Sequence, residues 1–536
     1  MASTFEALFT SETLPESNSW IGDLPSSVPD MKQALALVLA LGLGSVVCSR
    51  FLAGQKRANF PLINPAKGLE LVDKDRRMHF VMHSEELLIE GRARSGGQPF
   101  NIMTDGGEVT VFPPGLVNDI RNEPGLSFRA FIAEDFHAKI PGFEPFAAAT
   151  RADELTQAVV RKQLTKFLNK VTKPLSEEAS FATELRFGTS LEWRTFVAYS
   201  ETLDIIARIS SRVFLGEEVC RNQDWLDIIK SYTITSFAAA DNLRRYPKWM
   251  RNIVHWFQPG CKETRDQVAR AKKIVGPVIE KRRLARKDAA ANGLAAPRFD
   301  DALDWFEEES HGRPYDAAII QLNLSVAAIH TTSDLMTETI LKLAQTPELM
   351  GELRQEISSV LRADRWKKTA LYNMKLLDSV IKETQRMRPI QTISMNRKAT
   401  ADVKLPSGQI IPKGARTVCC ADLRLSPEVY EDPLKFDGHR FQKWRATEKD
   451  MNAHLVSTGP ASLGFGHGLH ACPGRFFAAN EIKVALCHLI MKYDWKLAPD
   501  SPTEPLAYGF SLAPNPMAKV MVRRRAQIEM DIDNIE

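Results

Sequence analysis

One cysteine stands where its neighbours could give it chemistry. In the stretch Phe465-Gly466-His467-Gly468-Leu469-His470-Ala471-Cys472-Pro473-Gly474-Arg475-Phe476-Phe477-Ala478, glycines crowd ahead of Cys472 and Pro-Gly follows it. Glycines allow tight turns and close approach of backbone to a flat ligand. Pro473 suits the first turn of a helix, where its missing N–H costs nothing. Apolar residues then recur at helical spacing (Phe477, Ile482, Ala485, Leu486, Leu489, Ile490), so Cys472 is expected on a loop just ahead of a helix. Free N–H groups and the helix dipole at such a place favour a thiolate. That sulfur could serve as a nucleophile or as a metal ligand. A buried structural cysteine beside a glycine turn is the ordinary alternative.

Two further clusters carry polar groups at suggestive spacing. From Tyr315 to Ala344 there is no proline or glycine, and apolar residues recur on more than one side. A helix of that length would cross a whole domain and be buried at its centre. Near its middle stands Ala327-Ala328-Ile329-His330-Thr331-Thr332. A histidine titrates near neutral pH and can pass protons, or it can simply satisfy a neighbouring carbonyl. In the second cluster, Glu383 and Arg386 lie three apart on a helix ending at Pro389, and therefore share a face. Such a pair is normally a surface salt bridge of small value.

Phe465, Gly468, Cys472 and Gly474 fit the pattern Phe-x-x-Gly-x-x-x-Cys-x-Gly. The chain thereby resembles the haem-thiolate enzymes, the cytochrome P-450 superfamily, over nearly everything from about Pro61 to Arg525. The resemblance implies a mostly α fold with a small β portion, built around haem b. Cys472 would be the axial metal ligand, with Phe465, Gly468 and Gly474 forming its loop and His470 meeting a haem propionate. Arg397 aligns with a propionate-binding arginine. Arg161 is the candidate for another, although Gln157 stands where the family carries tryptophan. Thr331 aligns with the threonine that handles dioxygen and relays protons, flanked by His330 and Thr332 as further catalytic candidates.

Two departures from the family pattern lie beside that threonine. Ala328 replaces a glycine and His330 replaces an acid. Glu383 and Arg386 would be a buried lock, completed by Arg440 from Phe436-Asp437-Gly438-His439-Arg440-Phe441. The segment from Phe128 to Phe146 would lie over the substrate pocket. Asn323 and Val326, Ile390, Thr392 and Ile393, and Phe510 and Leu512 would line that pocket. The string around His330 is similar to that of fungal terpenoid oxidases resembling ent-kaurene oxidase. A terpenoid substrate is therefore expected, with an indole alkaloid or polyketide as the alternatives.

The rest of the chain must position these groups. At 536 residues, with 44% hydrophobic and 25% charged residues, it has the balance of a globular protein with ample core. A net charge of +4 is too mild to argue for nucleic acid. The seven scattered cysteines form no CxxC pair and no disulfide framework, as expected in a reducing compartment. Residues 1–30 read as a polar leader and 31–53 as a single transmembrane anchor, its apolar core running from Ala34 to Val47. Residues 54–66 read as a proline hinge, 67–525 as the haem-thiolate monooxygenase domain, and 526–536 as a loose acidic tail. Arg50, Lys56 and Arg57 follow the anchor, which puts the catalytic bulk in the cytosol, at the endoplasmic reticulum membrane. The basic run Lys281 to Lys287 reads as a solvated helix face.

No Gly-x-Gly-x-x-Gly opens a helix after a strand. Electrons are therefore expected from a separate NADPH-dependent cytochrome reductase, with cytochrome b5 as a second donor. The expected reaction inserts one atom of O2 into a lipophilic small molecule. A haem-thiolate isomerase or dehydratase that needs no reductase is the main rival.

Overall fold

Helical sequence dominates, as the periodicities predict. The computed structural model describes residues 58–66 and 73–535, which belong to one compact unit. The leader, the anchor segment 31–53 and the first residues of the hinge lie outside them. Among the described residues, no helix is long and apolar enough to cross a membrane.

The elements that matter for the site are α1 (Lys74–Ser95), α2 (Phe128–Asp135), α3 (Glu144–Ala149), α4 (Leu168–Phe187), α5 (Ala198–Leu215), α6 (Gln223–Arg244), α7 (Pro259–Ala291), α8 (Ala317–Gln345), α9 (Lys375–Met387) and α10 (Arg475–Lys492). Their starts are set by local chemistry. The side chains of Ser127, Asn222 and Asp316 accept the N–H of Ala130, Trp225 and Ile319, capping α2, α6 and α8. Each cap satisfies a donor that the helix itself leaves free. Helix α8 is the long element expected from the sequence. It is buried along most of its length and packs against α5, α6 and α7.

The small β portion is one sheet of five strands and three smaller ribbons. Strands β1 (Phe100–Thr104), β2 (Gly107–Phe112), β3 (Leu126–Ser127), β4 (Ile393–Ala399) and β5 (Arg416–Cys420) lie in the order β1-β2-β5-β4-β3. Phe100 faces Val111 across β1 and β2, and β2 runs parallel to β5 with Val109 beside Arg416. The pairing of β4 with β5 shifts register between Ser394 and Arg397, where Met395 takes a φ of 54°. Such a bulge bends a strand and re-aims its side chains.

The chain before α1 is tied to this sheet. The Ile63 N–H donates to the Asn101 carbonyl at 3.0 Å, and the Asn101 N–H donates to Pro61 at 2.8 Å.

One expectation fails here and another holds only in part. The acidic tail is docked rather than loose. Ile532 is buried, Trp366 Nε1 donates to the Ile532 carbonyl at 2.8 Å, and Lys492 Nζ pairs with Asp533 at 2.5 Å. The basic run on α7 is a wet face at Lys281, Arg283 and Lys287, as expected, but not at Arg282. Arg282 is buried in a forked pair with Asp301 (2.8 and 2.7 Å), and Arg283 pairs with Glu307 at 3.1 Å.

Candidate active site

The cysteine loop is folded by its own backbone. The Cys472 N–H donates to the Phe465 carbonyl at 2.8 Å, and the Gly466 N–H donates to Leu463 at 2.9 Å. Gly466 and Gly468 take φ of 65° and 78°, a region that side chains disfavour. A Cβ on Gly468 would also lie 2.6 Å from Arg121 Cβ. The loop therefore needs its glycines both for conformation and for close packing on the chain near Arg121. Helix α10 starts at Arg475, so Cys472 sits just ahead of it, as expected.

The Cys472 sulfur accepts the backbone N–H groups of Gly474 and Arg475, which favour a thiolate. Burial outweighs them and pushes the thiol up from its ordinary value. The expectation of a thiolate from the helix start alone is corrected accordingly. A thiolate here needs a cation at sulfur as well.

Leu463 and Gly464 of this loop help to wall a cavity of about 640 Å³, whose lining also includes Ala327, His330 and Thr331 of α8. Phe128, Phe131, Phe136 and Phe146 give it an aromatic side. The segment from Phe128 to Phe146 is thus partly helical (α2 and α3), and Phe143 packs away into the core. Of the remaining pocket candidates, Asn323, Val326, Ile390, Ile393 and Leu512 line the cavity. Thr392 and Phe510 do not. Thr392 Oγ1 donates to the Phe510 carbonyl at 3.3 Å, and the Phe510 ring packs edge-on against Phe80 at 4.8 Å.

The α8 candidates separate by face. The Thr331 hydroxyl reaches the cavity and donates to the Ala327 carbonyl at 2.9 Å. Thr332 is only 3% exposed and is not on the cavity wall, because a helix turns each successive side chain by about 100°. Its place among the catalytic candidates is corrected. His330 has both ring nitrogens engaged: Nε2 lies 3.0 Å from the Lys230 carbonyl and Nδ1 lies 2.9 Å from the Tyr199 hydroxyl. A carbonyl only accepts, so Nε2 carries the proton and Nδ1 accepts from Tyr199. Burial holds the ring below its ordinary pKa, so it is neutral.

Cations gather around His470 of the cysteine loop. Arg397 is buried and donates from Nη1 only to its neighbouring Asn396 carbonyl, at 2.7 Å. No carboxylate lies within ion-pair reach of it among the described residues, and burial pushes it down to about 10. His470 is held below its ordinary value by burial and then by the charge of Arg397, with Arg129 and Arg161 adding to it. These four groups therefore share one electrostatic neighbourhood. Arg161 differs from Arg397 in already having an acid, Glu154, at 3.1 Å. Gln157 does not mimic a tryptophan contact; its amide donates to the Ala149 carbonyl at 2.9 Å.

Arg129 and Arg121 belong to this site yet escaped the sequence reading. Arg121 Nη1 donates to His467 Nε2 at 2.9 Å. No local motif marks either residue; the fold brings them to the loop.

Behind the loop, Glu383 is fully buried. It accepts from Arg386 Nε and Nη2 at 2.8 and 2.7 Å and from Arg440 Nε at 3.0 Å.

These residues fit a flat iron tetrapyrrole bearing carboxylates. Arg397 is a buried guanidinium lacking an anion, and Cys472 offers sulfur in a cradle of N–H groups that a metal cation would complete. Arg397 follows directly on the bulge in β4 and is buried.

A profile of the cytochrome P450 family matches residues 158–520. Cytochrome P450 monooxygenase eqxH of Fusarium heterosporum is 45% identical over 483 residues, covering 89% of this chain and 93% of the relative. Cytochrome P450 monooxygenase hepE of Aspergillus oryzae is 44% identical over 495 residues, covering 92% of this chain and 90% of its own. Among solved structures, retinoic acid-bound cyanobacterial CYP120A1 superposes with a TM-score of 0.62 at 17% identity, over 88% of this chain and 100% of its own.

Proposed function

Since the chain belongs to the cytochrome P450 family, we propose that it oxidises a lipophilic secondary metabolite, a terpenoid first among the candidates, in one or several steps. Family membership makes it a haem-containing monooxygenase, an oxidoreductase working with a redox partner, O2 and a small-molecule substrate. One observation carries the reading furthest. A helix-start cysteine accepts two backbone N–H groups, on a loop that walls the same cavity as Thr331.

In this reading Cys472 holds the iron, and Arg397 and His470 hold the propionates. Haem, when bound, supplies the activation of O2 and the transfer of one oxygen atom. The chain's own residues do the rest. Phe128, Phe131 and Phe136 exclude water and orient an apolar substrate, an arrangement typical of cofactor and ligand pockets. Thr331 keeps a proton at Oγ1, parked on the Ala327 carbonyl, beside the cavity. The lock Glu383–Arg386–Arg440 fixes α9 against the chain leading to the cysteine loop.

The finer reading adds a membrane anchor at 31–53, an endoplasmic reticulum address, and electrons from NADPH through a separate reductase, with cytochrome b5 as a second donor. Exposed Trp249, Ile253, Trp256 and Phe257, beside Lys248 and Arg251, support contact with a lipid surface. Terpenoid preference rests on the resemblance around His330 and on the apolar, aromatic cavity.

The test uses full-length protein with a microsomal reductase, NADPH and isotopically labelled O2. A panel of terpenes is followed by indole alkaloids and polyketides. One labelled oxygen in an NADPH-dependent product supports the reading. An unlabelled product formed without NADPH would replace it with an isomerase or dehydratase. Alkali-resistant sedimentation with membranes, lost on deletion of residues 31–53, tests the anchor.

A further inference from the structure

Below Thr331, helix α8 carries acids where an apolar wall would be expected. His330, Asp334 and Glu338 follow at intervals of four and so form one column on the helix. His330 and Asp334 both line the large cavity. Asp334 also lines a second, small cavity of about 10 Å³, together with Glu338, Arg388 and Pro505. That volume is about the least that holds one water. Asp334 thus stands in the wall of both cavities, the one carboxylate that the two linings share beside Pro389, Ile390 and Leu512.

Glu338 is only 5% exposed, and its Oε1 has no hydrogen-bond partner among the described residues. An unpartnered polar atom at that depth is costly unless the site has a use for it. Outside it, Arg388 pairs with Glu504 at 2.7 Å, and Glu504 is 79% exposed. The column therefore runs from the protein surface to the active-site cavity.

One hydrogen bond fixes the inner end of the column. Tyr199 on α5 donates to His330 Nδ1 at 2.9 Å, so its hydroxyl hydrogen is committed. Asp334 lies beside the same hydroxyl, and its burial, with Glu338 adding to it, favours the protonated acid. We infer that Asp334 is the proton donor of the active-site cavity, reloaded from the surface through Glu338 and the small cavity between them. The acid absent beside Thr331, where His330 stands neutral, is replaced by one a helical turn away.

The transfer balances without any further reactant. The Asp334 O–H bond breaks as its proton passes to an acceptor in the cavity, leaving a carboxylate. Glu338 then gives its own proton to Asp334, through one water, and takes another from solvent. When O2 is reduced to hydrogen peroxide, NADPH supplies two electrons through the reductase and this pair delivers two protons.

The charged surroundings agree. Asp334 faces Tyr199, His330 and Glu338, while Glu338 faces Arg388, Lys342 and Glu504. Burial, with Glu338 adding to it at Asp334, pushes both carboxyls up to about 7. Each can therefore both hold and release a proton near neutral pH.

The proposal rests on the monooxygenase reading, and the test separates the two. Haem-loaded full-length protein is compared with Asp334→Asn, Glu338→Gln and Glu338→Asp. Each variant is first required to give the wild-type carbon monoxide spectrum. Infrared spectra then read the neutral-acid carbonyl stretch against pH, with no turnover needed. Wild type should lose this signal as pH rises through about 7, and each of Asp334→Asn and Glu338→Gln should remove part of it. NADPH consumption in air, with reductase and no added substrate, should slow by about tenfold in both; water carries part of the flux, so the loss falls below the full contribution of a positioned acid. Glu338→Asp should restore most of the rate. Glu338→Gln with a normal carbon monoxide spectrum, but with wild-type NADPH consumption at every pH, would overturn the relay. So would carboxyls that are already ionised at about pH 6. An abnormal spectrum in the wild type itself would instead count against the monooxygenase reading.

Discussion

Glu383 holds a charge with no water around it, and two arginines and the Asp437 N–H replace that water. Removing one partner of such a group costs more than its net contribution, about 3–5 kcal/mol, because the others are left buried and unpaired. Glu383→Ala is expected to lose folded haem protein rather than merely slow turnover. Haem content per protein checks this, and normal content in the variant would contradict it. Glu481 on α10 is the opposite case. It is buried with only the Ser210 hydroxyl, among the described residues, donating to it, at 2.6 Å, and burial pushes it up to about 8. It is neutral in the fold but ionises from about 4.5 upward in the unfolded chain. The stability linked to its proton is therefore complete below about pH 4.5 and is lost progressively as pH rises to about 8. Glu481→Gln should flatten the fall of Tm between those limits; an unchanged Tm profile would show that Glu481 titrates normally. Residues in tight local motifs were legible: Cys472 with its glycines, Glu383 with Arg386, and Arg440 between its phenylalanines. Arg129, Arg121 and Asp334 were not, because their roles arise from chain segments meeting in space.

Among the elements, α8 was the clearest in the sequence, being long, free of glycine and proline, and apolar on several sides. Its periodicity could not say which of two adjacent threonines faces the cavity, since that depends on how α5, α6 and α7 pack around it. The C-terminal tail was the least legible. Its acids suggested solvent, yet Asp533 pairs with Lys492 and lies 3.5 Å from His488, and Ile532 fills a buried place. Composition describes a segment's preference in isolation, whereas here partners on α10 override it. Truncation after Arg525 should lower stability by about 2–4 kcal/mol, from the exposed apolar area and the stranded Lys492 and Trp366 Nε1. A denaturation midpoint equal to that of the full chain would show that the docking is energetically idle.

At the scale of the whole molecule, the fold class was readable because the loop signature is long and restrictive, and because helical periodicity is strong through most of the chain. The wall shared by the two cavities, the cation cluster around His470 and the seating of the hinge on β1 are long-range features that a linear reading does not reach. All of them converge on one claim, that Cys472, on the loop that follows Leu463 and Gly464 in the cavity wall, supplies a thiolate to haem iron. The most direct test is the difference spectrum of the reduced, carbon monoxide-bound protein, beside Cys472→Ala and Cys472→His. The account predicts a strongly red-shifted Soret band in the wild type that both substitutions abolish. A histidine-type band in well-folded wild-type protein, or a red-shifted band that survives in Cys472→Ala, would contradict it.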